Sequence, residues 1–166
     1  MSLRIKFWGC RGSIACPSPR HLKYGGNTTC LQVDAGDHMF VLDCGTGIRN
    51  LGREILAEGI EHSHLLLTHT HWDHINGFPF FAPAFVKEET FHIYAGHLTD
   101  KGGIQKVFAS QMDNPVFPVP LEAMQATLVF EDFHAGEDLD LVKGVQVRTA
   151  LLNHPNDATG YRIDYQ

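Results

Sequence analysis

The sequence has no C-x-x-C pair, no run of lysines and arginines, and no apolar stretch long enough to span a bilayer. Its longest uncharged segment, Ile75–Val86, carries two prolines and falls short of the ~18 apolar residues a span needs. Membrane insertion is therefore not expected. Thirteen basic residues face nineteen acidic ones, for a net charge of −6, which argues against a dedicated surface for long duplex nucleic acid. Only four cysteines occur: Cys10, Cys16, Cys30 and Cys44. At this length, with Arg4–Trp8 reading as an alternating strand rather than an export signal, they are expected to be free thiols of a cytoplasmic protein. What the chain does have is glycine, 16 of 166 residues, which points to tight turns and close backbone approaches.

At 166 residues and 43% hydrophobic content, residues 1–166 fit one domain with its own core. Leu3, Ile5 and Phe7 alternate with Arg4 and Lys6, a half-buried strand. A loop rich in glycine, proline and cysteine follows. Cys30–Asp34 and Met39–Asp43 flank Ala35-Gly36-Asp37, a hairpin signal. Ile48, Leu51, Ile55 and Leu56 recur at helical spacing, and Gly59 is the expected stop. Strands are expected at His64–Thr68, Thr90–Ala95, Thr127–Phe130, Val145–Leu152 and Tyr161–Tyr165, with a helix over Gly103–Met112. The pattern is mixed α/β (α+β), with helices packed outside sheets.

The segment Thr68-His69-Thr70-His71-Trp72-Asp73-His74 carries the chemistry. In extended chain His69 and His71 point to one side, and a turn after them brings Asp73 and His74 to a neighbouring point. Imidazole nitrogen and carboxylate oxygen suit zinc first, with manganese or iron as alternatives. Two histidines at one point and an Asp-His pair at the next imply two divalent metal ions. His62 and His64, just upstream, read as strand-edge residues, and His92 as an outward one. His97 follows a strand end and is a candidate substrate contact.

The ordered H-x-H-x-D-H motif resembles that of the metallo-β-lactamase superfamily. Phe7-Trp8-Gly9-Cys10-Arg11-Gly12-Ser13 and Tyr24-Gly25-Gly26-Asn27-Thr28-Thr29 are similar to the branch of ribonuclease Z and cyclic-nucleotide phosphodiesterase-like proteins. Leu42-Asp43-Cys44-Gly45-Thr46-Gly47 resembles the family's early Asp motif. Asn153-His154-Pro155 resembles the segment that supplies a third histidine. The resemblance implies an αββα sandwich, with His69, His71 and His154 on the first metal and Asp73 and His74 on the second. It places Asp43 behind a ligand or a loop amide.

The sequence departs from the family in one respect. The family's bridging Asp on a later strand and its final His have no counterpart here. After His154 the only carboxylates are Asp157 and Asp164, and no histidine follows. The sequence thus resembles the front two-thirds of the fold, incomplete at its C-terminus. Two expectations follow: Asp73 and His74 should face water, and the last two strands should present an unpaired edge. A homodimer is one way to cover that edge.

The resemblance implies a metal-dependent hydrolase of the phosphodiesterase type, using a metal-activated hydroxide, with Asp73 orienting the attacking water. The substrate class is a cyclic nucleotide, an RNA end or another small phosphodiester. The alternatives are a thioester or lactam hydrolase of the same fold, or a non-catalytic metal-binding module.

Overall fold

A computed structural model describes residues 3–165; Met1, Ser2 and Gln166 lie outside the described residues. Six strands form the first sheet, in spatial order β1 to β6: β1 (Leu3–Gly9), β2 (Cys30–Ala35), β3 (His38–Leu42), β4 (His62–Leu67), β5 (Thr90–Ala95) and β6 (Thr127–Asp132). The first two pairings are antiparallel and the next three parallel. A second, antiparallel sheet contains β7 (Asp138–Val142), β8 (Val145–Leu152) and β9 (Ala158–Tyr165). Three α-helices lie among the described residues: α1 (Ile48–Glu58), α2 (Trp72–Ile75) and α3 (Ile104–Gln111). No helix among the described residues is long and apolar enough to cross a membrane.

Met39–Val41 of β3 and Leu65–Leu67 of β4 are buried on both faces of the first sheet, which is why they read as continuous apolar runs. Leu65 and Leu67 of β4 point into a core shared with Ile48, Leu51 and Ile55 of α1 and Ile104 and Phe108 of α3. Leu66, one residue out of phase, points the other way and meets Phe40, Tyr94, Val145 and Val147 between the two sheets. The layers are therefore helices, large sheet, small sheet, as expected for the sandwich. Gly59 ends α1 in the left-handed region at φ 66°, its N–H donating to the Ile55 carbonyl, so the expected stop is where the sequence puts it.

Several expectations change. The aromatic segment after the His-Asp run forms two 3-10 turns, Phe78–Phe80 and Ala82–Phe85, separated at Phe81, rather than one helix. The prolines account for this, since each removes a backbone donor that a continuous helix would use. Strand β7 was not anticipated, although Asp138-Leu139-Asp140-Leu141 alternates. It pairs with β8, so β8 is internal and only β9 presents an open edge on that side among the described residues. His64 is not a strand-edge residue: β4 is central in its sheet, and the His64 ring stacks on Phe40 at 5.3 Å and on His92 at 5.4 Å. All four cysteines are free, with Cys30 and Cys44 buried.

Candidate metal centre

The His-rich loop leaves the carboxyl end of β4, between the ends of β3 and β5. Crevices beyond the carboxyl ends of parallel strands are the usual binding places in such sheets. Asp43 follows β3 directly, His69 lies two residues past β4, and His97 lies two residues past β5. Three distant sequence segments thus reach one edge of the sheet.

His69 and His71 project to the same side, with ring centroids 4.6 Å apart. His154 arrives from the β8–β9 loop, its ring 4.4 Å from that of His69 and its Nε2 3.2 Å from His71 Nδ1. One ring nitrogen from each of the three lies within 4.8 Å of the others, a set that can hold one metal ion. Nitrogens bound at 2.0–2.1 Å around one tetrahedral ion would sit roughly 3.3 Å apart. The cluster is thus slightly wider than a loaded site and needs only small side-chain rotations.

Asp73 and His74 lie on the short helix α2, beside the first cluster, with the His74 ring 3.9 Å from that of His69. His74 Nε2 is 3.5 Å from Asp73 Oδ2, so the two donors face one point. The expectation that this pair faces water is only half met. Asp73 is buried, at 8% exposure, because the Ser13 N–H donates to its Oδ2 at 2.7 Å and the Gly9–Gly26 loop closes over it.

Asp43 organises both positions. Its Oδ2 lies 2.8 Å from His74 Nδ1. Its Oδ1 accepts from the Thr68 N–H at 2.8 Å and from Thr68 Oγ1 at 2.9 Å. Thr68 Oγ1 in turn is 3.0 Å from His69 Nδ1. With the Thr68 proton given to Asp43, its oxygen accepts Nδ1–H of His69. Both histidines then carry their proton on Nδ1 and leave Nε2 free for a metal. Asp43 holds this place in the left-handed region, at φ 64°, a conformation Asp tolerates better than most residues.

For His69 the electrostatics agree with this assignment. Burial, together with the neighbouring His74, His154 and His71, lowers the His69 pKa to about 4, so it is a neutral donor at neutral pH. For His74, burial pulls the pKa down, but the hydrogen bond and charge of Asp43, with Asp73, outweigh it and raise the value. Close backbone packing fixes the geometry. A Cβ on Gly45 would lie 2.5 Å from the Asp73 carbonyl oxygen and from Thr28 Oγ1, so only glycine fits where the α1 entry meets the metal loop.

Other carboxylates are engaged elsewhere: Asp157 pairs with Lys101 at 2.8 Å and Asp164 with Arg162 at 2.9 Å. His97, the candidate substrate contact, is buried beside the loop, with Nε2 3.2 Å from Thr70 Oγ1. From the β8–β9 loop Asn156 also approaches, its Nδ2 3.4 Å from His71 Nε2. Thr68 and Ser13 were not anticipated. Nothing in their local sequence separates them from any strand-end Thr or loop Ser.

Comparison with known proteins agrees with this architecture. Over its described residues the fold is similar to the metallo-beta-lactamase fold protein YhfI from Bacillus subtilis, with TM-score 0.66, 20% identity, and coverage of 98% of this chain and 57% of that one. It is similar also to a diphosphatase from the PhnP family, with TM-score 0.67, 17% identity, and coverage of 98% and 62%. A ribonuclease Z from Haloarcula marismortui is 26% identical over 168 residues, covering 99% of this chain and 48% of that protein. The chain thus spans about half the length of the curated relative it matches. The model of the metallo-beta-lactamase superfamily matches residues 24–158, a stretch containing Asp43, the whole His-Asp loop and His154. The chain belongs to the metallo-beta-lactamase superfamily.

Proposed function

We propose that this chain carries the metal-binding half of a metal-dependent hydrolase acting on small phosphodiesters. The carrying observation is the pair of adjacent donor sets, His69/His71/His154 and Asp73/His74, with Asp43 linked to one histidine of each. The donors fit divalent metals, zinc first: nitrogen-rich at one position, mixed nitrogen and oxygen at the other. When bound, two such ions supply Lewis acidity and a water activated near neutral pH.

The chain's own residues supply the rest. His69, His71 and His154 would hold one ion and Asp73 and His74 the other. Asp73 keeps one oxygen on the Ser13 amide, which fixes the carboxylate plane while the other oxygen orients the attacking water. The phosphodiester reading is favoured over a thioester or lactam because the curated relative is a ribonuclease by name and one similar fold a diphosphatase. Four free thiols, two of them buried, go with a reducing cytoplasmic setting.

Hydrolysis of bis-p-nitrophenyl phosphate with zinc or manganese tests the reading. Asp73→Ala should abolish turnover, while His64→Ala should leave most of it. Equal losses, or a preference for a thioester substrate, would reject it. If metal binds but neither substrate turns over, the non-catalytic alternative stands instead.

A further inference from the structure

Pro155, Asn156 and Asp157, the residues after His154, are all exposed, so no apolar burial holds the turn that carries this histidine. Asn156 and Asp157 both sit in the left-handed region, at φ 65° and 68°, which Asn and Asp adopt more readily than other residues with a Cβ. The Asp157 N–H donates to the His154 carbonyl at 3.0 Å and closes the turn. Lys101, from the loop between β5 and α3, reaches across to it. Its Nζ donates to the Asn156 carbonyl at 3.0 Å and to Asp157 Oδ2 at 2.8 Å. An ion pair this exposed adds little to stability, so its consequence is where it sets the turn.

His71 meets this turn with both ring nitrogens. Nδ1 lies 3.2 Å from His154 Nε2, so it is the nitrogen turned toward the shared point. Nε2 is turned the other way, and among the described residues its hydrogen-bond partner is the Asn156 side-chain amide, at 3.4 Å. A neutral imidazole has one N–H; with Nδ1 on an ion, the proton is on Nε2 and calls for an acceptor. The Asn amide supplies one after a half-turn about its last bond, which puts oxygen where nitrogen stood. The competing tautomer is at hand: an Nδ1–H would donate to His154 Nε2 and occupy both ligand atoms at once. We propose that Asn156 is a positioning residue for the first metal position, its amide oxygen accepting from His71 Nε2–H and so keeping Nδ1 bare for the ion. Lys101 clamps the turn that delivers Asn156 and His154 together. The proposal rests on the metal-centre reading of His71 and His154.

Zinc affinity by chelator competition, with imidazole nitrogen NMR spectra at the zinc-free start of each titration, tests this. Asn156→Gly suits the left-handed backbone and removes the side chain alone. It should weaken the tightest-bound zinc by about tenfold or more, within the usual range for losing such a partner, and shift the His71 proton toward Nδ1. Asn156→Asp, which keeps an oxygen at that place, should hold the His71 tautomer of the parent and bind zinc at least as well. Lys101→Met should weaken zinc by a similar factor to Asn156→Gly, and Lys101→Arg should restore most of the loss. A His71 tautomer or a zinc affinity unchanged in Asn156→Gly overturns the proposal. His154→Ala tells this failure from that of the metal centre. If it weakens zinc while Asn156→Gly does not, the proposal alone falls; if neither substitution changes zinc affinity, the metal centre falls with it.

Discussion

Asp43 Oδ2 stands 2.8 Å from His74 Nδ1, and the same carboxylate reaches His69 through the Thr68 hydroxyl. One buried acid, two residues before the Gly45-Thr46-Gly47 turn, is therefore linked to one histidine of each candidate donor set. Asn at this place would keep the shape, but its amide could offer N–H to His74 and stabilise the wrong tautomer.

Asp43→Asn should lower divalent metal affinity by about 10–100-fold, the usual cost of losing such a partner. Calorimetric titration with zinc reads this directly. Unchanged affinity and stoichiometry would show that the tautomers are set some other way.

Stability should fall in mild acid, in part because of His64. Burial, with His92 and His38 nearby, lowers its pKa from 6.5 to about 4. Between those values the unfolded chain binds the proton and the folded one does not, so acid favours unfolding. Above pH 6.5 neither state is protonated there and the contribution is complete; below about pH 4 both are and nothing further is lost. Replacing His64 with Phe, between Phe40 and Tyr94, should make the decline of melting temperature from pH 6.5 to 4 shallower. The decline should not vanish, since His97 is also held to about 4 by burial and the charge of Lys101. Parallel curves for the two proteins would contradict this account.

Gly45→Ala should destabilise the fold by about 1–3 kcal/mol, the range for overpacking a tight site. The added methyl meets backbone atoms of Asp73 and Thr29 that cannot move without disturbing the metal loop. A melting temperature equal to that of the parent chain would show that the α1 entry is looser than its geometry indicates.

The 166-residue chain on its own should self-associate. Ile5 and Phe7, paired with Val33 and Leu31 on the edge of the large sheet, are 54% and 67% exposed, and β9 leaves an open edge nearby among the described residues. Open edges and apolar patches invite pairing. Ile5→Lys with Phe7→Lys should shift the sedimentation profile toward monomer. A parent chain already monomeric at high micromolar concentration would reject the proposal.

Much of this was legible because its signals are local. The apolar triplet Leu65–Leu67 ahead of the His-Asp run marked both a strand and the loop at its end, and Gly59 marked a helix stop. The β5 and β8 boundaries match those read from alternation and turn residues. What could not be read depends on distant neighbours. Whether Asp73 is covered is decided by Ser13, sixty positions earlier, and whether His64 is an edge or a stack is decided by strand order. Thr68 has no local mark because its task, passing the influence of Asp43 to His69, exists only once β3 and β4 lie side by side.

His154 comes from the small sheet, whereas His69 and His71 come from the large one. The hairpin that carries it is already fastened across the gap: the Thr159 N–H donates to the Thr68 carbonyl at 2.7 Å and Tyr161 Oη to the Leu67 carbonyl at 2.8 Å. An ion shared by these three histidines would act as a rivet through both sheets, its binding energy added to their docking energy. Chelation would then loosen the hairpin at Asn153–Asp157 before it touched the helices, and amide exchange in β9 would record the metal's departure.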